Sequence, residues 1–191
     1  MAFMVDQFRA EMIYDGARPN LFDITLVFPT LLGKDFASRK VTFMANSTTL
    51  PPSSVGVATL NYFGRQVKFP GDRVFPDWSI NIINDEDFAI KDAFEAWSSI
   101  LNSHDQIKRN PGAVNALGYS CPSVIVRQFG KDGSVIKAYN FIGLFPTTVD
   151  QIQLSWGSND QIEEFGVTFA YQYWESVETA HWDQLTNPTQ F

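Results

Sequence analysis

Three consecutive carboxylates, Asp85, Glu86 and Asp87, are by type the residues most able to do chemistry in this chain. In a cleft, clustered carboxylates bind a divalent cation or pass a proton between two oxygens. Their setting assigns them a plainer role: Asn84 stands before them as a helix cap, and acids in a first turn offset the positive end of the helix dipole. Glu163 and Glu164 are neighbours on an extended run, so their side chains leave opposite faces and do not pair as catalytic carboxylates. His104 and His181 have no histidine or cysteine at ligand spacing, which argues against zinc. Cys121 precedes Pro122 with no histidine nearby, so a buried thiol is expected rather than a nucleophile. Gly130-Lys131-Asp132-Gly133-Ser134 lacks the spacing of a phosphate loop and fits a hairpin turn. Arg127 and Lys131 around Phe129 are too few bases for a strand-borne nucleic-acid face. No catalytic, cofactor-binding or metal-ligating set is expected, and the chain does not read as an enzyme.

The elements that would position any site come from a chain of 191 residues, the size of one domain, with 45% hydrophobic residues. Seventeen Phe and five Trp favour strands and large buried contacts. A net charge of −7 is the wrong sign for a free duplex-DNA binder. One cysteine excludes an internal disulfide and fits a reducing compartment. No apolar run is long enough to span a membrane, so no membrane anchor is expected. Asp6 interrupts the N-terminal apolar stretch too early for a secretion signal, and synthesis and storage in the cytosol are expected.

Along the chain, Val5 to Tyr14 reads as a short helix with Val5, Phe8, Met12 and Ile13 near one face. Leu21 to Phe28 reads as a strand, with Phe22, Ile24, Leu26 and Phe28 on one side. Leu32 to Arg39 reads as a loop and Val41 to Ala45 as its partner strand, followed by a Ser/Thr/Pro-rich surface loop, Asn46 to Ser54. Val55 to Ile83 reads as a projecting hairpin leading back into the sheet, with Pro70-Gly71-Asp72 as a turn and Trp78, Ile80 and Ile82 on one face of its last strand. Ile90, Ala93, Phe94, Trp97, Ile100 and Leu101 recur at helical spacing and predict a helix lying on the sheet. His104 to Tyr119 reads as a loop.

Ser123 to Glu175 reads as an antiparallel meander of Val124–Phe129, Val135–Ile142 (ended by Gly143 and Pro146), Ile152–Trp156 and a long last strand, Ile162–Trp174. In the last strand Phe165, Val167, Phe169, Tyr171 and Tyr173 share a face. The predicted fold class is mainly β: an antiparallel β-sandwich or open barrel with one flanking α-helix and a projecting hairpin. Some strands must be sheet edges, which pair with another chain unless guarded.

The runs Gly143-Leu144-Phe145-Pro146-Thr147, Gln153-Leu154-Ser155-Trp156, Ser158-Asn159, Ile162-Glu163-Glu164-Phe165 and Tyr173-Trp174-Glu175 resemble the tail tube proteins of contractile-tailed bacteriophages. Upstream, Ala17-Arg18-Pro19-Asn20-Leu21-Phe22, Leu50-Pro51, Gly71-Asp72-Arg73, Asp77-Trp78 and Asn84-Asp85-Glu86 extend the resemblance, and it is the order of the set that carries it. The resemblance implies a virion structural protein in which subunits close into hexameric rings with a continuous inner β-barrel, and rings stack into the tube that delivers the genome. It implies a sheath protein outside, a baseplate and a tail terminator at the ends, and a tape measure protein and double-stranded DNA in the lumen without specific binding. Location in the virion tail follows, with assembly in the host cytoplasm. Residues 1–175 would form the tube domain and 176–191 a C-terminal extension. By position in the family pattern, the N-terminal segment and Asn46 to Phe75 would meet the next ring, and the long strands would line the lumen. The loop Leu31 to Lys40 and the tail look longer than the family core, and their roles stay open, contact with the sheath among them. Six copies at −7 each give −42 per ring, and an acidic wall would repel phosphates within about 8 Å. Two other readings stay open: the tube of a phage-derived contractile injection machine (type VI-like, pyocin or extracellular particle), and a jelly-roll carbohydrate-binding module with Trp78, Trp156, Trp174 and Trp182 stacking on sugars.

Overall fold

The computed structural model describes residues 5–12, 16–103, 120–121 and 123–177. Two four-stranded antiparallel sheets share one core. In the first, β1 (Phe22–Val27), β6 (Ser123–Phe129), β7 (Val135–Ile142) and β10 (Tyr173–Val177) lie in that spatial order. In the second, the order is β2 (Ala45–Thr48), β5 (Trp78–Ile83), β9 (Glu164–Ala170) and β8 (Phe145–Val149). A separate hairpin joins β3 (Ser54–Tyr62) to β4 (Arg65–Val74).

The period-two patterns explain the core. Ile24 and Leu26 of β1, Val124 and Val126 of β6, Ile80 and Ile82 of β5, and Phe165, Val167 and Phe169 of β9 are buried together. Trp78 bridges the sheets, its ring 4.6 Å from Phe141 and 5.5 Å from Phe169. The helix α3 (Ala89–Leu101) buries Ile90, Ala93, Phe94 and Trp97, one stripe of a 3.6-residue period. Burying Phe94 and Trp97 contributes roughly 2–3 kcal/mol each before the entropic cost.

Several expectations need correction. Residues 35–44 form a helix, α2 (Asp35–Met44), where a loop and a strand were expected, so at least two helices pack on the sheets. Ala37 and Val41, four residues apart, bury one face, and the Ser38 hydroxyl accepts the Phe28 N–H at 3.0 Å, tying the helix to the end of β1. The N-terminal helix α1 runs Val5–Glu11, with Val5, Phe8 and the following Met12 exposed; Ile13 lies outside the described residues, as does the expected loop 104–119.

Pro70-Gly71-Asp72 is no turn but the middle of β4; the hairpin turns at Phe63-Gly64, both at positive φ (45° and 81°). A register shift between Val55 and Val57 lies opposite Pro70–Arg73, where the strands approach so closely that a Cβ on Gly71 would stand 3.1 Å from the Gly56 carbonyl carbon and oxygen. Asn84 does not cap α3. Its N–H is donated to the Glu163 carbonyl (2.8 Å) and its amide to the Glu163 carboxylate (3.0 Å), while Phe88 takes the cap position and Asp87 accepts the Ala89 N–H.

The meander is broken twice. After β7 the chain crosses to the second sheet, where Pro146 lies inside β8, and the expected long last strand splits into β9 and β10 in different sheets. The two crossings touch: Gly143 (φ 69°) of the first lies against Gln172 of the second, and a Cβ on Gly143 would come within 2.8 Å of the Gln172 side chain. Ile152–Trp156 alternates as a strand should, yet it pairs with none among the described residues, because β5 and β8 already occupy both sides of β9.

Candidate assembly surfaces

The residues with chemical potential are mostly satisfied by one another. Lys40 on α2 reaches Asp85 (2.7 Å) and Asp87 (2.5 Å), holding α2 to the turn before α3. The lysine's hydrogen bonds lower the pKa of both carboxylates, and the bond to Asp85, then that to Asp87, raises its own. The role of Lys40 follows only from a helix over 35–44, which the spacing of Ala37, Val41 and Met44 signals in the sequence. Glu163 receives Asn84 and Glu164 receives Asn46. No group of three or more His, Cys, Asp or Glu among the described residues is placed to hold a metal.

Cys121 is buried and its thiol donates to the Val27 and Ser123 carbonyls. Burial pushes its pKa up to about 12, so the nucleophilic thiolate is scarce at neutral pH. Arg127 makes a two-pronged pair with Asp23 (2.6 Å each) and also donates to Thr25, across β1 and β6. Gly130–Ser134 is a hairpin turn in which Asp132 accepts from the Ser134 N–H and hydroxyl. Of the tryptophans expected to stack on sugars, Trp78 is buried, Trp174 donates to the Pro52 carbonyl (3.1 Å), and Trp156 is wholly exposed, so the three that are described form no row of stacking rings. His104, His181 and Trp182 lie outside the described residues.

What the fold leaves unfilled is surface. Every residue of β3 and β4 is exposed. Opposed residues of an antiparallel pair share a face, so Ala58/Phe69 and Leu60/Val67 make an apolar face, and Thr59/Lys68 and Asn61/Gln66 a polar one. At the tip Phe63 is 92% exposed and stacked edge-on against Tyr62 (4.6 Å) in a left-handed conformation that costs a bulky residue about 1–3 kcal/mol. Such strain in an outward-facing ring points to use.

The arm leaves one end of the body. Its base lies between Thr48 and Trp78, where Trp174 at the start of β10 bonds Pro52. Near the opposite end lie the β6–β7 turn, with Met12 beside it, and the 150–163 loop, which exposes Leu154, Trp156 and Ile162. The edge strands β1, β10, β2 and β8 each have one strand neighbour in the two sheets. No helix of the described residues is long and apolar enough to cross a membrane.

Comparison with known proteins adds relatives to this geometry. A family model described as "Phage tail tube protein" matches residues 17–177. The chain is 35% identical over 179 residues to the tail tube protein gp19 of Enterobacteria phage T4, covering 91% of this chain and 99% of that protein. It is 25% identical over 175 residues to the tail tube protein of Serratia phage KSP90, covering 91% and 96%. Among solved structures, the anti-feeding prophage tube-terminating cap is similar at a TM-score of 0.61 with 15% identity, covering 91% and 99%. A chain of the sheath-tube complex of the PVC extracellular contractile injection system is similar at 0.56 with 14% identity, covering 92% and 99%. At those identities the structures speak for the fold alone.

Proposed function

The chain belongs to the phage tail tube protein family and is a structural protein of a tail tube; from that premise we propose that it closes into hexameric rings, one sheet of each copy joining a continuous inner barrel, and that the rings stack head to tail inside a contractile sheath. The observation that carries the reading is the arm β3–β4, whose apolar face is exposed among the described residues. A two-stranded hairpin is marginal by itself in water, so this face gains most by packing on another copy. The unpaired margins of the edge strands favour joining in the same way, since ring closure hydrogen-bonds them.

The arm and the 150–163 loop leave opposite ends of the second sheet, an arrangement that suits a head-to-tail stack: one surface meets a different one, and repetition generates a filament. The lumen would pass tape measure protein and DNA without specific contacts, with sheath, baseplate and terminator as the remaining partners. The tube body, residues 1–175, and the extension, 176–191, share β10, which ends at Val177. The place of work is the virion tail, after assembly in host cytoplasm. The 35% identity to a phage tube protein, against 15% or less to the two injection-particle chains above, favours a phage tail over a secretion or toxin-delivery particle. Negative-stain microscopy of concentrated purified protein is expected to show rings or hollow tubes; discrete particles without a central hole would overturn the reading.

A further inference from the structure

A cavity of about 780 Å³ lies between residues 16–18, with Met12, and the β6–β7 turn, within the size range of pockets that hold a substantial ligand, roughly 300–1,000 Å³. Met12, Ala17, Phe129 and Ile136 give it apolar lining, and Arg18 and Lys131 give it positive charge. Asp132, also at the cavity, is held onto its own turn by Ser134 and stays ionised, so the two cations outweigh it by one charge. Toward the same end of the body, the 150–163 loop holds out Leu154 and Trp156, the latter as exposed as in an open peptide (103%). Asp150 and Asp160 on that loop are acidic and exposed.

We propose that the Trp156 loop of one copy seats in this cavity of the neighbouring copy in the same ring. The inference rests on the tube reading above and names a side-to-side contact within it. Two observations select the occupant. The first is charge: an acidic loop suits a cavity carrying Arg18 and Lys131. The arm tip, Tyr62-Phe63, is the competing apolar plug, but Arg65 and Lys68 follow it and bring like charge to the same rim. The second is placement. A rotation that keeps all copies pointing the same way brings together features at one end of the body, as this loop and cavity are. Translation along the strands brings opposite ends together, and that is the arm's geometry.

The contact is tested by cysteine pairing. In the assembled protein the double variant L154C/I136C is expected to give an intermolecular ladder on oxidation, and neither single variant a ladder, since the native Cys121 is buried. W156A should lower tube yield at fixed concentration at least tenfold without moving the unfolding midpoint of the free subunit. R18E should do likewise, and D160R added to R18E should restore yield. Tubes that form without a ladder overturn this contact and leave the tube reading standing. Wild-type protein that forms neither rings nor tubes overturns both.

Discussion

The arm and the body are built from the same strand signal and end in opposite environments. In β5, Trp78, Ile80 and Ile82 alternate with polar Ser79 and Asn81, and the apolar set is buried under the facing sheet and α3. In β3–β4, Leu60, Val67 and Phe69 alternate with Asn61, Gln66 and Lys68 just as cleanly, and the apolar set lies in the open. Alternation therefore reports that a strand has two unlike faces. Whether the apolar one is covered by the same chain or by another depends on what is folded beside it. In an assembling subunit the uncovered face is the informative one, because its stabilisation is realised only on assembly.

The contrast can be broken first at the body. Trp97→Ala removes a fully buried ring packed against Phe28 and Phe94. It should cost about 3–5 kcal/mol of subunit stability, read by urea denaturation of the unassembled protein. A cost below 1 kcal/mol would mean that α3 is not the cover of the core. The arm should behave in reverse. Leu60→Ser with Val67→Ser should leave subunit stability within about 0.5 kcal/mol, as exposed substitutions do, yet abolish tubes seen by microscopy. Normal tubes from that variant would remove the arm from the assembly.

The smallest effect belongs to the ion pairs of Lys40, which lie in the body but near water and so stabilise weakly. The folded pKa values of Asp85 and Asp87 lie below their ordinary 3.8, so their contribution is present above pH 3.8 and lost as pH falls through the folded values. The folded pKa of Lys40 lies above 10.5, so its contribution is present below pH 10.5 and lost as pH rises through it. Lys40→Met should thus be less stable than wild type across the neutral range, and the difference should shrink in acid below pH 3.8. A difference independent of pH would assign the loss to packing of the lysine stem instead.

Much of the body could be read from residue order alone. Ile24, Leu26 and Phe28, the Trp78 to Ile82 set, and the Ile90 to Trp97 stripe carry their periods openly, because side-chain direction follows from local backbone geometry. Asn46 to Phe75 was legible as a projection, though its turn was placed at Pro70 rather than at Phe63-Gly64, since β4 tolerates a proline where the strand borders solvent. The Lys40 clamp, the exposed Trp156 loop and the switch of β10 back to the first sheet were not legible. Each depends on what lies across space. Lys40 meets residues that are 45 and 47 positions away only once α2 exists, and the Ile152 to Trp156 alternation fails as a strand only because β8 already holds the free side of β9.

The sequence by itself thus determined which segments have a face to bury and to which family they belong. Tertiary structure alone decided which of those faces find cover within the chain. Local periodicity is a property of consecutive residues, whereas pairing is a competition among distant strands for a limited number of edges.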